Sequence, residues 1–427
     1  MKLSPLLSIL QQINQSIVSY QSLGQVIQAN AEGNRIKLTY KDEINCSTTA
    51  EEQNQQEKIE ELFVKQVIAS NYHQKSWADL RRTLIYARTE VRFYKEFIPD
   101  FKNSFTPICF HAEIYLNGLV QDDEEATDVD HAPPEGWPSE DDRRKEFLQQ
   151  NEGRGYLILE SICTDSYVQE SPITLEQATK CLQAVAKMHA SSWENKILLE
   201  KAAKRLSDKG GSYHLRIRNP KEYHGLVSSW EGFCSNFQHL NPELFAREGI
   251  IALGQRVYDI AEYVSDQLSP SSDDPFATIV HGDYKAMNVF LPIEDANEEK
   301  QKEALIIDFA STGLGFGMSD VAMHIPHAVH PKDAANGGET QLLNSYLKAL
   351  EKARSTSIND QDNDKKKKKT ITSYPRDVAL RHYRLASIDY FRFILGRFWK
   401  SASVESFEKR KNSRNTVLVN RNAEAAF

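Results

Sequence analysis

The spacing of apolar and polar positions changes part-way along the chain. Between Leu23 and Leu159 apolar residues mostly alternate with polar ones or form short blocks, the period-two pattern of strands. It predicts strands over Gln25–Ala29, Arg35–Tyr40, Leu62–Val67, Ile108–Leu116 and Tyr156–Leu159, with one helical stretch, Trp77–Phe97, among them. After Thr174 helical spacing dominates, notably over Leu175–Trp193 and Pro242–Leu268. Two short apolar runs, Phe276–Val280 and Ala304–Ile307, interrupt it. Near the N-terminus Ile9, Ile13 and Ile17 fit one face of an amphipathic helix. A strand-rich part followed by a helical part predicts an α+β plan in two lobes, residues 1–160 and 161–427, joined near Glu160.

Four polar segments lack the spacing needed to join a core and read as surface inserts: Asn45–Glu57, Gln121–Asp142, Glu294–Glu303 and Ser355–Lys369. The last ends in five lysines, Lys365 to Lys369, directly after a run of acids. It reads as a solvated loop more readily than as a basic docking patch. A formal net charge of -8 weighs against nucleic acid as the main partner, since backbone phosphates call for a basic face. Cys46, Cys109, Cys163, Cys181 and Cys234 are scattered without a CxxC pair, as reduced thiols are. Ser4, Pro5 and Ser8 interrupt the apolar start, so a signal peptide is not expected, and no stretch is long and apolar enough to span a bilayer. A cytoplasmic, soluble protein is the expectation.

The chemistry concentrates in Ile279-Val280-His281-Gly282-Asp283-Tyr284-Lys285-Ala286-Met287-Asn288. Here His-x-Asp-x-x-x-x-Asn follows a short apolar strand, the spacing of a phosphotransferase catalytic loop. Such a loop needs a carboxylate to accept the attacking hydroxyl's proton and an amide oxygen nearby to hold a metal. After an insert, Leu305-Ile306-Ile307-Asp308-Phe309 ends an apolar strand in Asp-Phe, where a second metal-binding carboxylate is required.

On these residues, with the later Asp320, the chain resembles the choline kinase and aminoglycoside phosphotransferase group. Within that group it is similar to the ecdysteroid-kinase-like (CHK-kinase-like) family. Ala184-Val185-Ala186-Lys187-Met188-His189-Ala190 with Trp193 resembles a helical segment of the same group. The resemblance implies a two-lobed protein-kinase-like fold, ATP and Mg2+ as cofactors, and transfer of the γ-phosphoryl group to a hydroxyl of a small molecule. It implies Asp283 as base and Asn288 and Asp308 as the Mg2+ ligands. Lys285 either reaches the γ-phosphate or is a solvated loop lysine. His281 and Asp320 are expected to brace the loop, and His189 and Trp193 to pack in the core.

In the first lobe Lys65 is the expected phosphate-positioning lysine and Glu90, in a Glu-x-x-Phe-Tyr segment, its partner. The glycine-rich loop of protein kinases is reduced here to Gly33, with Asn34; their backbone N–H groups would face phosphate, or the two simply turn the chain. Leu159-Glu160-Ser161 resembles the segment whose backbone holds adenine. Asp308-Phe309-Ala310 lacks the glycine of the protein-kinase motif, and no Ala-Pro-Glu segment follows, which favours a small-molecule acceptor over a protein. The aromatic stretches Tyr213–Phe237 and Arg381–Trp399 read as helical core or as substrate walls. The rival reading is a catalytically silent nucleotide-binding or scaffold protein on the same fold.

Overall fold

The computed structural model describes residues 5–27, 31–41, 59–72, 74–101, 105–115, 154–207, 209–211, 215, 220–293, 303–359, 373–414 and 416–427. The four polar segments fall largely outside them, at 45–57, 121–142, 294–302 and 360–369. The described residues form two compact units. The first holds those up to Pro99 with 107–115 and 154–164; the second holds those of 100–106 and everything from Asp165.

The first unit is an antiparallel sheet of β1 (Ile17–Ile27), β2 (Glu32–Tyr40), β3 (Glu61–Ile68), β4 (Cys109–Tyr115) and β5 (Arg154–Glu160), ordered β1-β2-β3-β5-β4. Alternation along β3 decides which side chain goes where. Leu62 and Val64 join Ile36, Leu38, Tyr156 and Ile158 in a core with Ile9 and Leu10 of helix α1 (Pro5–Ile13). Lys65 and Val67 point to the other face, where Val67 packs with Leu80 and Leu84 of helix α2 (Trp77–Arg92). Ser76 caps α2 by accepting the Asp79 N–H at 3.2 Å. The expected helix to Phe97 is α-helical only to Arg92 and then widens into a π turn over Phe93–Phe97, with the Ile98 N–H donating to the Phe93 carbonyl.

Two expectations change here. Ile17 opens β1 instead of extending α1, because Asn14 turns the chain: its Oδ1 accepts the Ser16 N–H at 2.9 Å and its carbonyl the Ile17 N–H at 3.1 Å. Gly33 and Asn34 lie inside β2, paired with Lys65 and Val64, instead of forming the turn before it.

In the second unit a Thr174–Gln177 capping box starts α3 (Leu175–Ser192), followed by α4 (Lys196–Arg205) and α5 (Leu226–Phe237). The helical stretch expected over Pro242–Leu268 is broken into Pro242–Phe245, Glu248–Ile251 and α6 (Leu253–Gln267), since Arg247 adopts extended backbone. Then come α7 (Met318–Ala328), α8 (Gly338–Asn359), α9 (Arg376–Arg397) and α10 (Val404–Arg410). Ser355 to Asn359, expected in a loop, complete α8; the Ser355 hydroxyl donates to the Glu351 carbonyl at 2.9 Å.

Short strands sit among these helices. β6 (Tyr167–Val168), β8 (Val289–Pro292) and β9 (Leu305–Ile306) form one sheet, and β7 (Ala277–Val280) pairs with β10 (Gly313–Phe316). Trp230, Phe233 and Phe237 of α5 pack with Tyr390 and Phe393 of α9, so the aromatics of both stretches go largely into a core cluster. No helix of the described residues is long and apolar enough to cross a membrane.

Candidate active site

β7 is buried at all four residues and delivers the chain into the loop His281–Asn288. Asp320, fully buried in the first turn of α7, holds the start of that loop. Its carboxylate accepts the backbone N–H of His281 at 2.7 Å and of Gly282 at 2.9 Å. A third bond comes from His189 Nε2 on α3, at 3.0 Å. Burial acts to raise the Asp320 carboxyl, but the His189 hydrogen bond, the His189 and His281 imidazoles and the Gly282 N–H outweigh it and hold the group below its ordinary 3.8. With Asp320 ionised, His189 donates from Nε2, and its Nδ1 is hydrogen-bonded with the Tyr346 hydroxyl at 2.9 Å.

His281 is fixed in one tautomer. Nε2 lies 2.9 Å from the Ile307 carbonyl, which can only accept, so the proton is on Nε2. Nδ1 therefore accepts the Asp283 N–H at 3.2 Å. Both ring nitrogens are committed to holding the loop.

Beyond this anchor the polar groups converge. The Asp283 carboxylate, 23% exposed, accepts from Lys285 Nζ at 2.7 Å. The Asn288 amide nitrogen donates to the Asp283 carbonyl at 2.8 Å and to its carboxylate at 3.3 Å. The amide oxygen of Asn288 is thereby turned away from Asp283. The Asn288 carbonyl accepts the Ile307 N–H at 3.0 Å, which ties this turn to the residue before Asp308. Asp308 has left-handed backbone, φ 67 and ψ 64, a conformation aspartate tolerates better than most side chains. Among the described residues no group of three or more His, Cys, Asp and Glu could hold a metal. The chemistry of this donor set still fits magnesium. One amide oxygen and one carboxylate are hard ligands, and magnesium keeps waters and phosphate oxygens for its other positions.

The first unit has its own ion pair. Lys65 Nζ lies 2.6 Å from Glu90 Oε2, with the side chains 12% and 5% exposed. Gly33 stands opposite Lys65 in the ladder. The Asn34 Oδ1 accepts the Ser22 hydroxyl at 2.7 Å. At the end of β5, Glu160 accepts the Ile108 N–H on its carboxylate at 3.3 Å and donates its own N–H to the Ile108 carbonyl at 2.8 Å. Ser161 next to it accepts from Arg35 at 3.2 Å.

The sequence model of the ecdysteroid kinase-like family matches residues 34–357. The chain belongs to that family. The strand-rich first unit and the mainly helical second unit are those of the α+β, protein-kinase-like plan expected from the sequence. No curated protein matches the chain. Among solved structures, an amicoumacin kinase in complex with AMP-PNP, Ca2+ and Ami is 11% identical at a TM-score of 0.46, covering 93% of this chain and 87% of that one. An aminoglycoside-3'-phosphotransferase of type VIII is 13% identical at 0.36, covering 90% and 100%. The choline kinase LicA from Streptococcus pneumoniae is 12% identical at 0.34, covering 90% and 99%. At these identities and scores the three carry no argument about what this protein binds.

In this ecdysteroid kinase-like protein the sequence reading missed one part of the loop's support. His189 was expected to be core packing. It is fully buried, but it is also the link between Asp320 and Tyr346. The signal lay in its segment's resemblance to the family; nothing pointed to Tyr346. Gly317 completes the arrangement, since a Cβ there would lie 2.3 Å from the Tyr346 hydroxyl and 2.6 Å from His189 Nδ1.

Gly282 is required on two counts. Its φ is +80, and a Cβ would lie 2.2 Å from the Ser311 carbonyl oxygen. Gly282→Ala is expected to cost at least about 1–3 kcal/mol in denaturant unfolding. A variant as stable as the wild type would show that the loop relaxes without loss.

Proposed function

We propose that this protein is an ATP- and magnesium-dependent phosphotransferase that transfers the γ-phosphoryl group to a hydroxyl of a small molecule. The observation that carries the reading is the convergence of Lys285 and Asn288 on the Asp283 carboxylate, with the Asn288 turn bonded to the residue before Asp308. Asp283 orients the acceptor hydroxyl and takes its proton as the oxygen attacks phosphorus. The Asn288 amide nitrogen fixes the carboxylate's direction. Asn288 Oδ1 and the Asp308 carboxylate would hold magnesium, which when bound neutralises charge on the phosphate oxygens. Lys285 adds a positive charge at the same place as transfer proceeds.

The nucleotide roles in the first unit are part of the same proposal. Lys65 would bind phosphate oxygens, steadied by Glu90, with Gly33 beside it in the neighbouring strand. Backbone groups at Glu160 would bind adenine. Transfer then rests on positioning and charge neutralisation by residues already hydrogen-bonded into place.

Calorimetry of Mg·ATP binding tests this. The wild type is expected to bind ATP only with the metal present, and Asp308→Ala to bind at least about tenfold more weakly, a change of about 1.4 kcal/mol. Absence of binding to the folded wild type across a range of Mg2+ would overturn the proposal.

A further inference from the structure

Both peptide units that flank Asn288 are held at both ends. The unit before it carries the Met287 carbonyl and the Asn288 N–H; the unit after it carries the Asn288 carbonyl and the Val289 N–H. The Asn288 N–H donates to the Lys285 carbonyl at 2.9 Å, and the Asn288 carbonyl accepts the Ile307 N–H at 3.0 Å. The Val289 N–H donates to the Ala286 carbonyl. These three bonds join backbone to backbone. The fourth does not: the Met287 carbonyl accepts from the side-chain amide of Gln169, 118 residues away in sequence. A carbonyl can only accept, so it is the amide nitrogen of Gln169 that faces it.

Strand pairing brings Gln169 to this place. It directly follows β6, whose Tyr167 and Val168 pair antiparallel with Pro292 and Leu291 of β8. As β8 leaves the turn Ala286–Asn288, β6 therefore runs back towards it and ends with Gln169 beside it. The next residue, Glu170, is tied to α3: its carboxylate accepts from the Gln177 side-chain amide at 2.6 Å, and the Gln177 amide oxygen accepts the Thr174 N–H at 2.9 Å. α3 thus meets the loop near both ends and in the middle. Gln177 acts through Glu170 next to Gln169, the Cys181 carbonyl accepts the Tyr284 hydroxyl at 2.6 Å, and His189 stands behind Asp320.

A peptide unit is planar and turns as one piece, so the plane before Asn288 helps to fix where that side chain points. No substitution removes a backbone donor such as the Ile307 N–H, whereas one substitution removes Gln169. We propose that Gln169 is a positioning residue for the metal side of the site: by holding the Met287 carbonyl it sets the direction of Asn288, and so the place of the amide oxygen offered to magnesium. The magnesium clause rests on reading Asn288 as a metal ligand; the control of Asn288 by Gln169 does not.

The first test is NMR on protein labelled with 15N-asparagine, without nucleotide or metal. The Asn288 side-chain amide signals are identified by their loss in Asn288→Ala, or in Asn288→Asp if the alanine variant does not fold. Gln169→Leu keeps the bulk, removes the donor and is expected to shift these signals. Gln169→Glu, whose carboxylate cannot donate at neutral pH, serves if the leucine variant does not fold. The signals of Asn236, which donates to the distant Ala402 carbonyl, are expected to stay in place, as they would not if the whole unit were disturbed. Calorimetry then reads the metal. In the Gln169 variant the Mg2+ concentration that half-saturates ATP binding is expected to rise about tenfold, with affinity at saturating Mg2+ within about twofold of wild type. Asn288 signals unmoved by loss of Gln169 would overturn the proposal, whether or not the protein binds nucleotide. So would an unchanged Mg2+ requirement, or equal weakening at every Mg2+ concentration. A wild type that binds no Mg·ATP would overturn the kinase reading and the magnesium clause with it, while the NMR result still decides whether Gln169 directs Asn288.

Discussion

Replacing Asp283 by asparagine is expected to lower phosphoryl transfer about a hundredfold to ten-thousandfold while the protein stays folded and still binds Mg·ATP. Asparagine has nearly the same shape, and the bonds that fix the loop use the backbone of residue 283: its N–H to His281 and its carbonyl from Asn288. The substitution removes only the group that can receive a proton and the negative partner of Lys285. Transfer of labelled phosphate to a screened set of small alcohols gives the rate, and calorimetry the binding. Turnover within about threefold of wild type would mean that the protein does not need a base at this position. Wild type and variant that both bind nucleotide and phosphorylate nothing would favour the silent nucleotide-binding reading.

Asp320→Ala is expected to be the most damaging single substitution for stability, at about 3–5 kcal/mol. It strips the partners from two buried backbone N–H groups and from His189 at once. Urea unfolding measures it; a loss below about 1 kcal/mol would show that water or a shifted loop replaces the carboxylate. The same group predicts a pH dependence. Because the folded state holds Asp320 below its ordinary 3.8, the unfolded chain binds the proton more readily. The stabilisation is therefore complete above about pH 4 and lost as pH falls through the lower folded value. In Asp320→Ala that acid limb should flatten.

The loop was legible because its residues are contiguous: a buried strand, then His281, Asp283 and Asn288 at fixed spacing, need no knowledge of the fold. Lys65 was found as an alternating strand residue, and Glu90 through the resemblance of its Glu-x-x-Phe-Tyr segment to the family. That Asp320 and His281 brace the loop was expected; that His189 and Tyr346 stand behind Asp320 was not. Asp320 and His189 are 131 residues apart, and His189 and Tyr346 are 157 apart, so no local pattern links them. A buried histidine on an apolar helix looks like core until its partner is known. β1 was read eight residues short because Ser19, Gln21 and Ser22 blur its alternation. At the other boundary, Ser355 to Asn359 were read as insert from their composition, although helical hydrogen bonding continues through them.

The start of the loop is held by Asp320, the Ile307 carbonyl and the Thr312 hydroxyl, with His189 behind Asp320. None of these residues belongs to the aromatic cluster around Trp230, Phe233 and Tyr390. α7 is what the two share, supplying Asp320 to the loop and Met323 to the cluster, so a change among the rings is expected to reach the loop through that helix.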